Sequence, residues 1–292
     1  MKTIGYLGLG VMGYGMTSNL IDKSGTTVYG FDPVPALQER FAARGGKALE
    51  SGKELYETCD IIFMCLPTNA IVKATITEIM ETAKPGTTIV DMGSTSPYVI
   101  QELHTEALKK GFHLLDSPVS GGETGANGGT LVIMCGGEKE VFDDVKPYLE
   151  MMGKTVTYMG PSGCGSTAKV ANNMMVGIHL LAMGEAFAFA TKAGLDPHTL
   201  FDAIKGGFAQ SAVMDLKVPK LLSRDFSASA RIAVHLKDIN NAMDVAQHLG
   251  VELPMTKIVK EQMDWMDANG MINEDQCALA KYYENSMGVE IK

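Results

Sequence analysis

Lys169 and Asn173 stand four residues apart in a stretch that is mostly small or apolar, Gly165-Ser166-Thr167-Ala168-Lys169-Val170-Ala171-Asn172-Asn173. On a helix that spacing puts both on one face. A lysine so placed can give a proton to a carbonyl oxygen as hydride arrives at its carbon, with the asparagine positioning it and bonding the substrate. A lysine snorkelling at the start of a buried helix fits the same residues.

A second group of residues supplies a partner for such chemistry. Gly8-Leu9-Gly10-Val11-Met12-Gly13 follows a strand-like run and opens a helix-like one, the context that a dinucleotide-binding turn requires. Backbone amides at a helix start can bind a pyrophosphate where glycine allows close approach. Phe31-Asp32 closes the next strand-like run, about 20 residues past the last glycine, where a carboxylate accepts hydrogen bonds from ribose hydroxyls. A carboxylate there repels a 2′-phosphate, and Pro33 brings no compensating cation, so the pattern predicts NAD rather than NADP.

Leu66-Pro67-Thr68 and Asp91-Met92-Gly93-Ser94-Thr95 end later strands, where ligands of open α/β sheets sit, and are expected to line the nicotinamide half of the cleft. Ser94 reads equally as a helix cap before Pro97. In Asp116-Ser117-Pro118-Val119-Ser120-Gly121-Gly122 a serine precedes two glycines, a nest suited to a carboxylate or, more plainly, a tight turn. Arg231 and Lys237-Asp238 lie on or just before a helix-like run, where a cation can face a cleft or simply solvate a surface. No His, Cys, Asp or Glu cluster has zinc-ligand spacing, and neither a P-loop nor a Gly-x-Ser-x-Gly elbow is present. No metal site is expected.

The elements that must position these residues follow from the hydrophobic pattern. Short apolar runs at Thr3–Leu7, Thr27–Phe31, Ile61–Cys65, Thr88–Asp91, Phe112–Ser117, Thr130–Cys135 and Thr155–Met159 alternate with helical segments at Met12–Asp22, Val34–Arg44, Asn69–Met80, Pro97–Lys110 and Glu138–Met152. Such alternation predicts a doubly wound (Rossmann) α/β domain around a parallel sheet, residues 1–161. Beyond Pro161 the strand-like runs cease. A long interdomain helix over Ser166–Ala193 is predicted, then helices near Pro197–Lys205, Val213–Leu222, Ile232–Leu249, Met255–Ala268 and Glu274–Met287. Residues 162–292 read as an all-α substrate and oligomerisation domain.

Length and charge narrow the function classes. At about 150 residues per domain, 292 residues suggest two domains. A net charge of −9 disfavours a nucleic-acid partner, and 46% hydrophobic with 20% charged residues describes an ordinary globule. Five cysteines without a C-x-x-C pair point to a reducing, cytoplasmic compartment. The apolar stretch Met174–Ala190 is broken by His179 and Glu185, short of the roughly 20 apolar residues of a membrane span, and strand-like sequence from Thr3 leaves no room for a leader peptide. Long apolar helices and 20 methionines predict a homo-oligomer formed through the second half.

Taken in order, Gly8–Gly13, Asp116–Gly122, Lys169 with Asn172-Asn173, and Lys237-Asp238 resemble the β-hydroxyacid dehydrogenase family over essentially the whole chain. The resemblance implies that Lys169 is the catalytic acid/base and that Ser120, Gly121 and Gly122 hold the substrate carboxylate. It also implies that Asn173 assists in the substrate site and that Ser94 and Lys237 touch the cofactor near its reactive end; Arg231, the cation before the helix, is a further candidate for binding the substrate. The partner it implies is a small carboxylate-bearing aldehyde or hydroxy acid. Reductases of this family carry Pro-Gly-Phe before the arginine, where this chain reads Ala228-Ser229-Ala230 and so loses an aromatic pocket wall. Retention of Lys169 and Asn173 argues against a non-catalytic dinucleotide-binding scaffold.

Overall fold

The computed structural model describes residues 2–292. Packing divides the chain into two compact units, the first ending at Lys169 and the second running over Val170–Lys292. The division falls inside one helix.

The first unit alternates strands and helices: β1 (Ile4–Leu7), α1 (Val11–Lys23), β2 (Val28–Phe31), α2 (Pro35–Ala43), β3 (Lys47–Ala48), α3 (Gly52–Thr58), β4 (Ile61–Met64), α4 (Asn69–Thr82), β5 (Thr88–Asp91), α5 (Pro97–Lys109) and β6 (His113–Asp116). These strands are parallel in the order β3-β2-β1-β4-β5-β6, the doubly wound arrangement whose order reverses beside β1. Every residue of β1, β4 and β5 is buried, which explains why their sequences do not alternate. Their side chains nonetheless point to two different cores. Tyr6, Phe63, Val90 and Leu115 pack with Leu9, Met16 and Leu20, whereas Leu7, Ile62, Met64, Ile89 and Leu114 pack with Leu55, Ile76, Ile79 and Leu103. The sheet is thus covered on both faces.

Past β6 the sheet departs from the all-parallel expectation. β7 (Val119–Ser120) and β6 both run antiparallel to β8 (Leu131–Gly136), because the chain reverses through α6 (Gly122–Gly128), and β9 (Gly153–Gly160) returns parallel to β8 after α7 (Lys139–Met152). A two-residue strand, β3, and two seven-residue helices, α3 and α6, are too short for a periodicity to register.

A single helix, α8 (Cys164–Lys192), runs from the first unit into the second. At 29 residues, against the shorter apolar stretch Met174–Ala190, it is long and apolar enough to cross a membrane by length and composition alone. Its residues Leu180, Leu181, Met183, Phe187 and Ala188 lie in the core of the second unit. That unit continues with α9 (Pro197–Ile204), α10 (Ala212–Leu222), α11 (Ile232–Leu249), α12 (Pro254–Ala268) and α13 (Ala280–Met287). The Asp196 carboxylate accepts from Thr199 N at 2.8 Å, capping α9 as its place before Pro197 suggests. One helix was expected over Glu274–Met287. The first turn is instead a 3-10 segment, Gln276–Leu279, capped by Asp275.

Candidate active site

The glycine turn sits at the carboxyl end of β1, beside the end of β4. Gly8 has φ +86°, a conformation that L side chains rarely adopt, and a Cβ there would lie 2.5 Å from Cys65 O. A Cβ on Gly13 would overlap Gly8 O, so the third glycine lets α1 start against the turn. Gly10 differs from both, for a Cβ on it would meet nothing within 4 Å. Gly10 caps α1 without any side-chain bond to the helix amides, which leaves the first-turn N–H groups to an outside acceptor. A pyrophosphate fits this cradle by charge and by space. Val11 is exposed, while Met12 packs against the core.

Asp32 ties this turn to the next. Its Oδ2 accepts from Leu9 N at 2.8 Å and its Oδ1 from Val34 N at 2.9 Å, with Phe31 half-buried just before it. Leu66 reaches the turn as well, its Cδ2 lying 3.3 Å from the Cβ position of Gly8; Pro67 is exposed beyond it. At the end of β5, Asp91 accepts from Gly93 N at 3.0 Å and from Thr95 Oγ1. Ser94 lies half-buried between them, and the residue that caps α5 is Ser96. The cap reading of Ser94 is therefore not the one realised.

Ser120 ends β7, half-buried and paired with Val132. Gly121 and Gly122 follow with φ +133° and +59°, and Gly122 opens α6 with free space where a side chain would be. Upstream in the same motif, Asp116 accepts from Gly163 N at 2.9 Å and from Ser166 N at 2.7 Å, at the start of α8. Burial pushes its carboxyl up to about 6 against the lowering effect of those amides. Lys169, half-buried, is the last residue of this unit.

Asn173, Arg231 and Lys237 belong to the second unit. The Asn173 amide is held on both sides: Nδ2 donates to Asp238 Oδ2, and Oδ1 accepts from Asn172 Nδ2 at 2.8 Å. Asp238 also pairs with Lys237 at 3.4 Å. His235, buried in α11, lies 2.9 Å from the Asn173 carbonyl through Nε2, while its Nδ1 faces Gln276 Nε2 at 3.0 Å. The carbonyl can only accept, so Nε2 carries the proton and Nδ1 accepts from Gln276. The Asn173 amide keeps capacity for two more hydrogen bonds: Nδ2 has a second N–H to donate, and Oδ1 a second lone pair with which to accept.

Arg231 is exposed at the start of α11, and its segment is fixed by backbone contacts. Ile232 N donates to Glu274 O at 3.1 Å and Gln276 N to Ala230 O at 3.0 Å. The fully buried Asp275 accepts from Ser229 N at 3.0 Å, Ala230 N at 3.1 Å and Lys217 Nζ at 2.8 Å; against the penalty of burial, its bonds from Lys217, Cys277 N and Ser229 Oγ hold its carboxyl down at about 2. Asp116, His235, Asp275 and Gln276 were not singled out by spacing. Asp116 and His235 lie inside or next to recognised motifs, whereas nothing in the sequence marks Gln276.

A parallel sheet ordered 3-2-1-4-5-6, a glycine cradle at its point of reversal and a buried carboxylate at the end of β2 define a dinucleotide-binding domain. Residues 3–160 match the family described as the NAD binding domain of 6-phosphogluconate dehydrogenase, and residues 163–283 the one described as NAD-binding of NADP-dependent 3-hydroxyisobutyrate dehydrogenase. The chain is 37% identical to 2-hydroxy-3-oxopropionate reductase of Escherichia coli, over 96% of this chain and 97% of that protein. It is 35% identical to 2-(hydroxymethyl)glutarate dehydrogenase of Eubacterium barkeri, over 99% and 97%. Among solved structures, 3-hydroxyisobutyrate dehydrogenase of Mycobacterium tuberculosis with L-serine superposes with a TM-score of 0.89 at 32% identity, covering 97% of this chain and 99% of the other. The protein belongs to the β-hydroxyacid dehydrogenase family and is an oxidoreductase acting on a CH–OH group.

Proposed function

We propose that the protein reduces 2-hydroxy-3-oxopropionate (tartronate semialdehyde) to D-glycerate, or runs the reverse oxidation on a closely related β-hydroxy acid, with NADH preferred over NADPH. Bound dinucleotide supplies the hydride that the aldehyde carbon accepts. In this reading Lys169 gives its proton to the oxygen of that carbon, Ser120, Gly121 and Gly122 hold the acid end, and Asn173 and Arg231 steady the substrate. Gly8 through Gly13 bind the pyrophosphate, Phe31 and Asp32 the adenosine ribose side, and Leu66, Pro67, Ser94 and Lys237 the nicotinamide half. Residues 1–161 act as the dinucleotide domain and residues 162–292 as the substrate domain. A cytoplasmic setting fits five cysteines that are all free thiols.

One observation carries the reading. α8 is a single unbroken helix through both Lys169 and Asn173, and the buried Asn173 amide, held by Asp238 and Asn172, keeps one N–H and one oxygen lone pair for a substrate. A second reading, a 2-(hydroxymethyl)glutarate or 3-hydroxyisobutyrate type dehydrogenase, is favoured by Ala230, which leaves room where the reductases carry phenylalanine. Steady-state rates on a panel of aldehyde acids with NADH and NADPH separate the two. Lys169→Ala is expected to lower kcat by about 10²–10⁴, the span of a lost general acid, while leaving NADH affinity within a few-fold. Full turnover in that variant would end the proposal.

A further inference from the structure

Asp116 lies in the recognised motif, yet the reaction as described gives it no part. It ends β6, is 1% exposed, and leads directly into the Ser117–Gly122 segment. Its two oxygens take two of the N–H groups that the start of a helix leaves unpaired, those of Gly163 and Ser166. A helix that needs only a cap finds one in the residue before it, as Ser211 does for α10. The corresponding residue of α8 is Gly163, which has no side chain, and the acceptor comes from a strand 47 residues away. That arrangement sets the register of the helix against the sheet as well as capping it.

The neighbouring contacts leave α8 little freedom. A Cβ on Gly165 would overlap the carbonyl oxygens of Met134 and Asp116, so the first turn of α8 rests on the ends of β8 and β6. The other side of Asp116 is equally tied: Ser117 N donates to Asp91 O at 2.6 Å, and Met134 N to Pro118 O at 3.1 Å. Lys169 follows Ser166 by less than one helical turn.

We infer that Asp116 is a positioning residue for the reaction, holding the first turn of α8 on the carboxyl end of β6 and thereby setting Lys169 relative to the acid held at Ser120–Gly122. The inference rests on the assignment of Lys169 as proton donor. It gives a role to a buried carboxylate that the fold would rather protonate, since burial outweighs its two amide bonds.

Asp116→Asn keeps the shape but sets an amide N–H₂ against one of the two backbone donors. Gly165→Ala keeps the carboxylate and pushes the first turn outward. With 2-hydroxy-3-oxopropionate and NADH, both variants are expected to lose about 30- to 100-fold in kcat, the cost of misplacing a reacting group by roughly 1 Å. The KM for the acid and the Kd for NADH should stay within about threefold, because the anion loop and the glycine turn keep their own bonds. Adding Asp116→Asn to Lys169→Ala should slow the residual rate no further, as befits a residue acting through the lysine. Wild-type kcat in two folded variants, a further loss in the double variant, or failure of both variants to fold would each overturn the inference. Full turnover in Lys169→Ala alone would instead remove the reading beneath it.

Discussion

Both oxygens of Asp32 are engaged by backbone amides, Leu9 N on one side and Val34 N on the other, so the carboxylate is oriented before any nucleotide arrives. Charge-assisted hydrogen bonds of this kind are worth about 1.5–3 kcal/mol each. Asp32→Ala is therefore expected to weaken NADH about 10- to 100-fold in a fluorescence titration, while NADPH, relieved of repulsion, changes little. An unaltered NADH to NADPH ratio would contradict the ribose role. Residues of this kind are legible in sequence when a local rule exposes them, as the glycine spacing exposes Asp32. Asp116 was visible as part of a motif, but its partners lie 47 and 50 residues away, and no local pattern encodes such a pairing.

The same contrast holds for whole elements. Helix α11 spans Ile232–Leu249, the bounds its hydrophobic pattern suggests, and Gly250 closes it in the left-handed conformation. Helix α6 has the sequence GETGANG, which intrinsic propensity assigns to a turn. It forms against α1: Asn19 Nδ2 donates to Ala126 O at 2.9 Å, and Gly15 gives α6 room to approach. Tertiary packing overrides propensity there. The anchorage of α8 carries its own pH signature. Folding raises the Asp116 carboxyl from 3.8 to about 6, so the native state binds that proton more tightly than the unfolded chain does. Its contribution is fully present below pH 4 and is lost as pH rises through about 6, on the order of 2–3 kcal/mol in all. Burial, with a smaller push from the Asp116 charge, raises the Cys135 thiol on β8 to about 12, so this neighbour stays neutral throughout. Denaturant titrations across pH 4–7 should show wild type losing stability relative to Asp116→Asn as pH rises. A gain would mean that the amides outweigh burial.

At the scale of the molecule, the second unit exposes large apolar side chains: Met175, Phe189, Phe208, Leu216, Leu249, Met255 and Ile258. Singly such residues need no explanation; gathered on one surface they mark an interaction site. We predict a homo-oligomer through this unit, so that light scattering at micromolar concentration gives a multiple of 31.3 kDa. A monomer under those conditions would refute it. The segment before Arg231 has a different consequence. Its course is dictated by main-chain bonds to Glu274, Asp275 and Gln276, and the side chains of Ala228 and Ala230 take no part in holding it. Residues at those two places can be exchanged by mutation while the loop stays in its track. On the proposed reading, in which Arg231 steadies the substrate, this loop is where a designer wishing to change the acid accepted would begin.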